Sequence, residues 1–163
     1  MIRKIEPKDY DKATDLVNED WKRFYKGIVE DSFLTEEACA ARKQRQIGKY
    51  KSGEVQAYVY DNGETVCGVL TGARIGAMPV YEIGCLYVAP ENHRQGIGKE
   101  LLAYADVLAR ENDCNEVRLW VFTDNIYAVK FYAKHGYIED GCSYLNTKGT
   151  MGTRMVRRLD EVE

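Results

Sequence analysis

The sequence predicts an α/β chain of the α+β type, a mixed sheet of about seven strands flanked by helices in the order β-α-α-β-β-β-α-β-α-β-β. Three observations point there. The 163 residues are 45% apolar, enough for one sizeable core and too few for two ordinary domains, so residues 1–163 are expected to form a single domain. Apolar side chains recur with helical period in some segments and alternate in others. A hairpin signature in the middle of the chain breaks the strand–helix alternation that an all-parallel sheet needs.

The elements follow in order. Ile2 to Glu6 reads as a short strand, and Asp9 stands where it can cap a helix carrying Ala13, Leu16, Val17, Trp21, Phe24 and Tyr25 at helical spacing. A second helix opens at Thr35, with Glu36 and Glu37 in its first turn, and runs toward Gly53. Val55, Ala57 and Val59 then alternate with polar or aromatic residues. Asn62-Gly63 supplies the positive dihedrals of a tight turn before Thr65 to Thr71, which makes a β-hairpin. Val80 to Val88 is a further strand, ended by Pro90, and Gly84 within it marks a bulge or a close approach. Ile97, Leu101, Ala105, Leu108 and Ala109 place an amphipathic helix between Gly96 and Asn112. Val117, Leu119 and Val121 alternate on the next strand. The last helix starts near Asn125 and stops at Gly136, with Lys134 and His135 as cations at its C-terminal end. Tyr137 to Tyr144 and Gly152 to Leu159 supply the final strands.

Composition narrows the class. Lys plus Arg total 23 against 26 for Asp plus Glu, a net charge of −3 that offers no basic excess for a nucleic-acid backbone. Apolar runs are short and the N-terminus lacks an apolar segment, so no bilayer span or secretory signal is expected, and the location expected is cytoplasmic. Cys39, Cys67, Cys85, Cys114 and Cys142 form no C-x-x-C pair and read as reduced thiols, with no metal expected. The acidic tail Asp160 to Glu163 reads as a solvated end.

The segment from Val88 to Lys99 carries the chemistry: a strand runs through Pro90 and His93-Arg94-Gln95-Gly96-Ile97-Gly98 into a helix. Helix starts expose unpaired N–H groups and partial positive charge, and glycine lets a phosphate approach them. Arg94 and Lys99 add fixed charge. A Walker loop needs glycine where His93 stands and Ser or Thr where Glu100 stands; a dinucleotide fingerprint needs a small residue where Leu101 stands. Neither fits. The segment instead resembles the GNAT superfamily of N-acetyltransferases, whose motif is a strand ending V-x-P followed by Q/R-x-x-G-x-G/A. A second family feature, an Asn opening a later helix with F-Y near its end and G-F/Y beyond, matches Asn125, Phe131, Tyr132, Gly136 and Tyr137. The likeness covers about residues 54 to 159 well and the N-terminal helices loosely, through Trp21 to Ile28. His93 departs from the usual Gln or Arg, with Arg94 placed to cover the charge.

The resemblance implies a mostly antiparallel central sheet and acetyl transfer from acetyl-CoA to a primary amine of a small molecule or peptide, directly within a ternary complex. It implies that Leu86, Tyr87 and Val88 offer main-chain groups to the cofactor. Arg94, Gln95, Gly96, Ile97, Gly98 and Lys99 would hold its diphosphate and Asn125 its pantetheine, while the Tyr132 hydroxyl protonates the departing thiolate. Asn125 and Tyr132, seven residues apart, share one helix face about 10 Å apart. Glu82, in an otherwise apolar strand, is the candidate base, alongside water chains. Trp21, Phe24 and Tyr25 are candidate walls for the acceptor. His93 and His135 read as structural. An exposed strand edge near Tyr144 or Met155 offers a route to a homodimer. The alternative is a non-catalytic acyl-CoA-binding module or sensor; a nucleic-acid module would need a basic aromatic face that the sequence lacks.

Overall fold

The computed structural model describes residues 1–145 and 150–160. Its strands are β1 (Ile2–Lys4), β2 (Gln56–Asp61), β3 (Val66–Arg74), β4 (Val80–Val88), β5 (Glu116–Phe122), β6 (Ile138–Leu145) and β7 (Met151–Arg158). The helices are α1 (Tyr10–Phe24), α2 (Glu36–Ser52), α3 (Ile97–Glu111) and α4 (Ile126–Lys134). The strands form one sheet in the order β1-β2-β3-β4-β5-β7-β6, antiparallel throughout except for β4 and β5. Both the element order and the mixed sheet agree with the sequence reading.

Local chemistry explains most boundaries. The Thr35 hydroxyl accepts the Ala38 N–H at 3.2 Å to cap α2, and Gly53, left-handed, ends it. Two details differ from expectation. Asp9 precedes α1 but does not cap it: its carboxylate accepts from Arg3 at 2.7 and 3.0 Å and from the Glu6 N–H at 2.8 Å, so a cation drawn in by β1 captures it. The hairpin turn is not the two-residue type. Only its glycine has positive φ, and Asn62 Oδ1 accepts the N–H groups of Glu64 and Thr65 at 2.9 Å, which stabilises a longer loop.

Opposite faces of the sheet are covered by different helices. On one, Tyr87 meets Trp21 of α1, which in turn packs on α2; on the other, Gly68, the β3 partner of Val88, lies against Ile97 and Leu101 of α3. Val59, Val69, Leu70, Leu101, Leu108, Val117 and Leu119 are buried between these layers. β6 forms a sheet edge and is largely exposed, whereas Met155 lies on the interior strand β7 and is 1% exposed, so of the two residues expected at a free edge only Tyr144 is there. The acidic tail lies, from residue 161 on, outside the described residues.

The sheet opens between β4 and β5. These strands pair only from Val80 with Glu116 to Ile83 with Leu119, although β4 continues to Val88 and β5 to Phe122. The cause is visible in β4. Its pairing with β3 runs Gly68–Val88 to Thr71–Cys85, then steps to Gly72–Ile83, which leaves Gly84 as one extra residue. Such a bulge bends the strand and increases its twist. Of the two readings of Gly84, a bulge or a close approach, the bulge is therefore present, and it lies where β4 and β5 separate. It also reverses the alternation, so Ile83 faces α3 while Cys85 and Tyr87 face α1.

Candidate active site

The gap holds a cavity of about 800 Å³. One wall is β4 from Ile83 to Val88 with the loop that follows; the other is β5 from Leu119 to Phe122 with α4; α1 closes the side. Because Ala89 N–H donates to Cys67 of β3 at 2.8 Å, strand alternation turns the backbone groups of Leu86 and Val88 toward the opening and those of Tyr87 into the β3 ladder. Tyr87 contributes its side chain instead: its hydroxyl accepts the Trp21 indole N–H at 3.2 Å and lies 3.2 Å from the Tyr25 hydroxyl.

The glycine loop leads directly into α3. Gly96 stands at its N-terminus with φ +80°, Arg94 is also left-handed at +63°, and a Cβ built on Gly98 would come within 3.3 Å of the Phe131 ring of α4. A side chain at 98 would force the two helices apart. The first-turn N–H groups of α3 have no partners within the helix, so the loop presents donors and the helix dipole to the cavity, with Arg94 and Lys99 beside them. Ile97 takes part through its backbone only, its side chain being 4% exposed in the core. Gln95 is exposed and is not among the lining residues. His93 donates Nε2–H to the Val88 carbonyl at 2.8 Å and stacks on Phe24, which ties the loop to the end of β4.

On the opposite wall, the Asn125 side chain accepts the Ala128 N–H at 3.3 Å and caps α4, leaving its NH2 end as a donor. Tyr132 lines the cavity with its pKa raised, chiefly by desolvation, so the phenol keeps its proton. His135 is not the cation expected at the helix end. Burial first, then Lys134, Lys99 and Arg157, hold its pKa below the ordinary value, which leaves it neutral at pH 7.

Glu82, the candidate base in β4, is partly buried as expected, but it is paired. It stands directly across from Arg118 in the β4–β5 register, accepts the Arg118 Nε–H at 2.8 Å, and is absent from the cavity wall. The pair lies one rung before Ile83–Leu119, the last before the strands diverge. A carboxylate the sequence reading passed over lies in the cavity instead: Asp20 of α1 is 7% exposed, and its Oδ1 is buried without a hydrogen-bond partner. Desolvation pushes its pKa up to about 7. A signal was available, because Asp20 falls three residues after Val17 and four after Leu16, on the apolar stripe. Trp21, Phe24 and Tyr25 line the cavity as expected, joined by the unforeseen Trp120, Phe122, Tyr127 and Tyr144. Cys85 also lines it, with its thiol pushed up to about 12 by burial, so it is no thiolate nucleophile at neutral pH. All five cysteines are free.

Comparison with known proteins gives concordant results. The sequence profile of the Acetyltransferase (GNAT) family matches residues 14–137. A spermidine N(1)-acetyltransferase of Thermoplasma acidophilum is 26% identical over 144 residues, 85% of this chain and 89% of that protein. Among solved structures, the PaiA N-acetyltransferase of T. acidophilum in complex with coenzyme A superimposes with a TM-score of 0.82 at 21% identity, covering 97% of this chain and 98% of that one. The ribosomal-protein-alanine N-acetyltransferase of Brucella melitensis gives 0.75 at 18% identity, with 98% and 99% covered. At these identities the two structures establish likeness of fold.

Proposed function

The chain belongs to the GNAT family of acetyltransferases, and from that premise we propose that its cavity transfers an acetyl group from acetyl-CoA directly to a primary amine of a small molecule or peptide. When bound, acetyl-CoA supplies an acetyl group activated as a thioester. The residues that line the cavity suit it. The Gly96–Lys99 turn with Arg94 offers amide donors and positive charge for a diphosphate, and the outward backbone groups of Leu86 and Val88 offer strand-like pairing to the pantetheine amides, with Asn125 across the gap. Tyr87 acts in this reading through its hydroxyl, which fixes Trp21 and Tyr25, rather than through its main chain.

The chemistry requires a polarised carbonyl, a proton for the leaving sulfur and an uncharged amine. The Leu86 N–H, freed from the ladder by the departure of β5, is the donor toward the carbonyl oxygen. The Tyr132 phenol, held protonated, gives its proton to sulfur. The unreactive Cys85 thiol supports direct transfer over an acyl-enzyme. One observation carries the reading: the bulge at Gly84 opens an unpaired β4 edge between a glycine-led helix N-terminus and a protonated tyrosine.

Among acceptors, the relative named for spermidine supports an alkyl polyamine. No helix among the described residues is long and apolar enough to cross a membrane, and five unpaired thiols suit a reducing cytoplasm. Pairing of two copies through the edge strand β6 is part of the same reading. The test is a thermal-shift titration with coenzyme A followed by thiol release from acetyl-CoA against a panel of amines. A saturable upward shift and amine-dependent release are expected; no shift with coenzyme A would overturn the reading.

A further inference from the structure

Asp20 is the only carboxylate among the described residues that line the cavity, where the fixed cations are Arg94, Lys99 and Lys134. The two charges lie at different depths. Along α1, Trp21 reaches Tyr87 in the middle of the β4 edge, and Phe24 stacks on His93 of the loop, so Asp20 is a helical turn further from the phosphate-binding end than Phe24. Aromatic rings of Trp21, Tyr25 and Phe122 pack edge-to-face beside it. An aromatic chamber with one buried, unpartnered carboxylate suits an organic ammonium ion, which gains from both the ring faces and the charge.

Resting on the acetyltransferase reading, we propose that Asp20 is the catalytic base for a cationic alkylamine acceptor: its carboxylate pairs with the acceptor's ammonium group and removes one proton from it. The amine nitrogen then forms the C–N bond to the acetyl carbon while the C–S bond breaks, its electron pair passing to sulfur. Sulfur takes the Tyr132 proton, and the second nitrogen proton replaces it through water. Asp20 returns its own proton to solvent, so the reaction releases one proton overall.

The surroundings leave Asp20 available for this role. Arg23 lowers its pKa and Glu19 raises it, both less than desolvation does. Tyr25 and Cys85, the neighbours Asp20 shares with Tyr132, carry no charge at pH 7. From α2, Arg42 is held by Asn18 at 2.8 Å, the Phe33 carbonyl at 2.7 Å and the Trp21 ring at 3.7 Å, while Lys49 acts on Cys85. No ion pair joins Asp20 to another described side chain. With its pKa near 7, the group is poised to accept and release protons at neutral pH.

The experiment compares wild type with Asp20→Asn, using spermidine as acceptor. In the wild type kcat/KM should climb with pH through a midpoint near 7. The variant should lose at least about a hundredfold at pH 7, lack that limb, recover toward high pH as the amine deprotonates in solution, and keep its thermal shift with coenzyme A. Folding is read separately. A carboxyl whose pKa is raised in the native state costs stability as pH rises from its ordinary value of 3.8 to about 7, so Asp20→Asn should melt above the wild type at pH 8 and level with it at pH 3.5. In the free wild-type protein, carbon NMR of the Asp20 carboxyl should titrate near 7 and move downward when spermidine is added. An undiminished variant at pH 7, or a titration unmoved by spermidine, would overturn the assignment. A wild type that binds coenzyme A but acetylates no amine would overturn the acceptor reading itself.

Discussion

The two walls of the cleft are built on different terms. The β4 wall meets the cavity with backbone: a strand edge left by β5 at Leu86 and Val88, with the Val88 carbonyl held by His93, then the first amides of α3, where Gly98 leaves no room for a side chain. The β5 wall meets it with side chains: Trp120 and Phe122 from the strand, Tyr127, Phe131 and Tyr132 from α4. β5 holds β7 in unbroken register from Glu116 to Phe122, while β4 breaks its register with β3 at Gly84. A wall of amides tolerates sequence change wherever the backbone path is kept, and a wall of side chains does not. In the proposed function, cofactor affinity falls to β4 and α3, and proton transfer to α4.

Removing Gly84 attacks the origin of the difference. Deletion would make the β3–β4 register continuous, leave every other β4 residue with its present β3 partner, and remove the bend that parts β4 from β5. The expected result is loss of measurable acetyl transfer in a variant that still unfolds cooperatively in urea, because the β3–β4 pairing is kept while the opening toward β5 closes. A folded, active deletion variant would show that the bulge does not create the cleft.

Tyr132→Phe tests the side-chain wall alone. A fall in kcat of about 10²–10⁴ with coenzyme A affinity unchanged is expected, checked by steady-state kinetics beside calorimetry. Gly98→Val tests the backbone wall. With a Cβ already 3.3 Å from Phe131, the larger side chain should weaken coenzyme A binding by roughly ten- to a hundredfold, and kcat at saturation should fall much less. If the two variants exchanged signatures, the division of labour between the walls would be wrong.

The smallest effect is expected at the rung where the walls meet. Glu82→Gln leaves Arg118 without its cross-strand partner, which costs at most about 1 kcal/mol for a pair with both side chains partly solvated. Transfer should stay within roughly twofold of wild type at all pH values, because Glu82 lies outside the cavity wall. A lost acid limb in this variant would return the base to β4 and take it from Asp20.

The contrast between these two carboxylates shows where the sequence stopped being legible. Glu82 was prominent because its neighbours along the strand are apolar, yet its partner is Arg118, which stands 36 residues away in the chain and directly opposite in space. Asp20 was hidden among the charged residues of α1, although its spacing from Leu16 and Val17 put it on the buried face. Asn62 and Asp9 failed in a similar manner: each has the right residue for its local motif, and each directs its side chain to a different local group or to a cation from β1.

By itself the sequence determined the order and kind of elements, the caps at Thr35, Asn125 and Gly136, the bulge residue Gly84 and the glycine-led helix start, because all of these depend on interactions within a turn or two of chain. Only the tertiary structure decided how far β4 and β5 stay paired, which carboxylate is neutralised and which is left alone in the cavity, and that His135 is neutral. Those outcomes depend on desolvation and on partners distant in sequence, and both are fixed only when the sheet and its helices pack together.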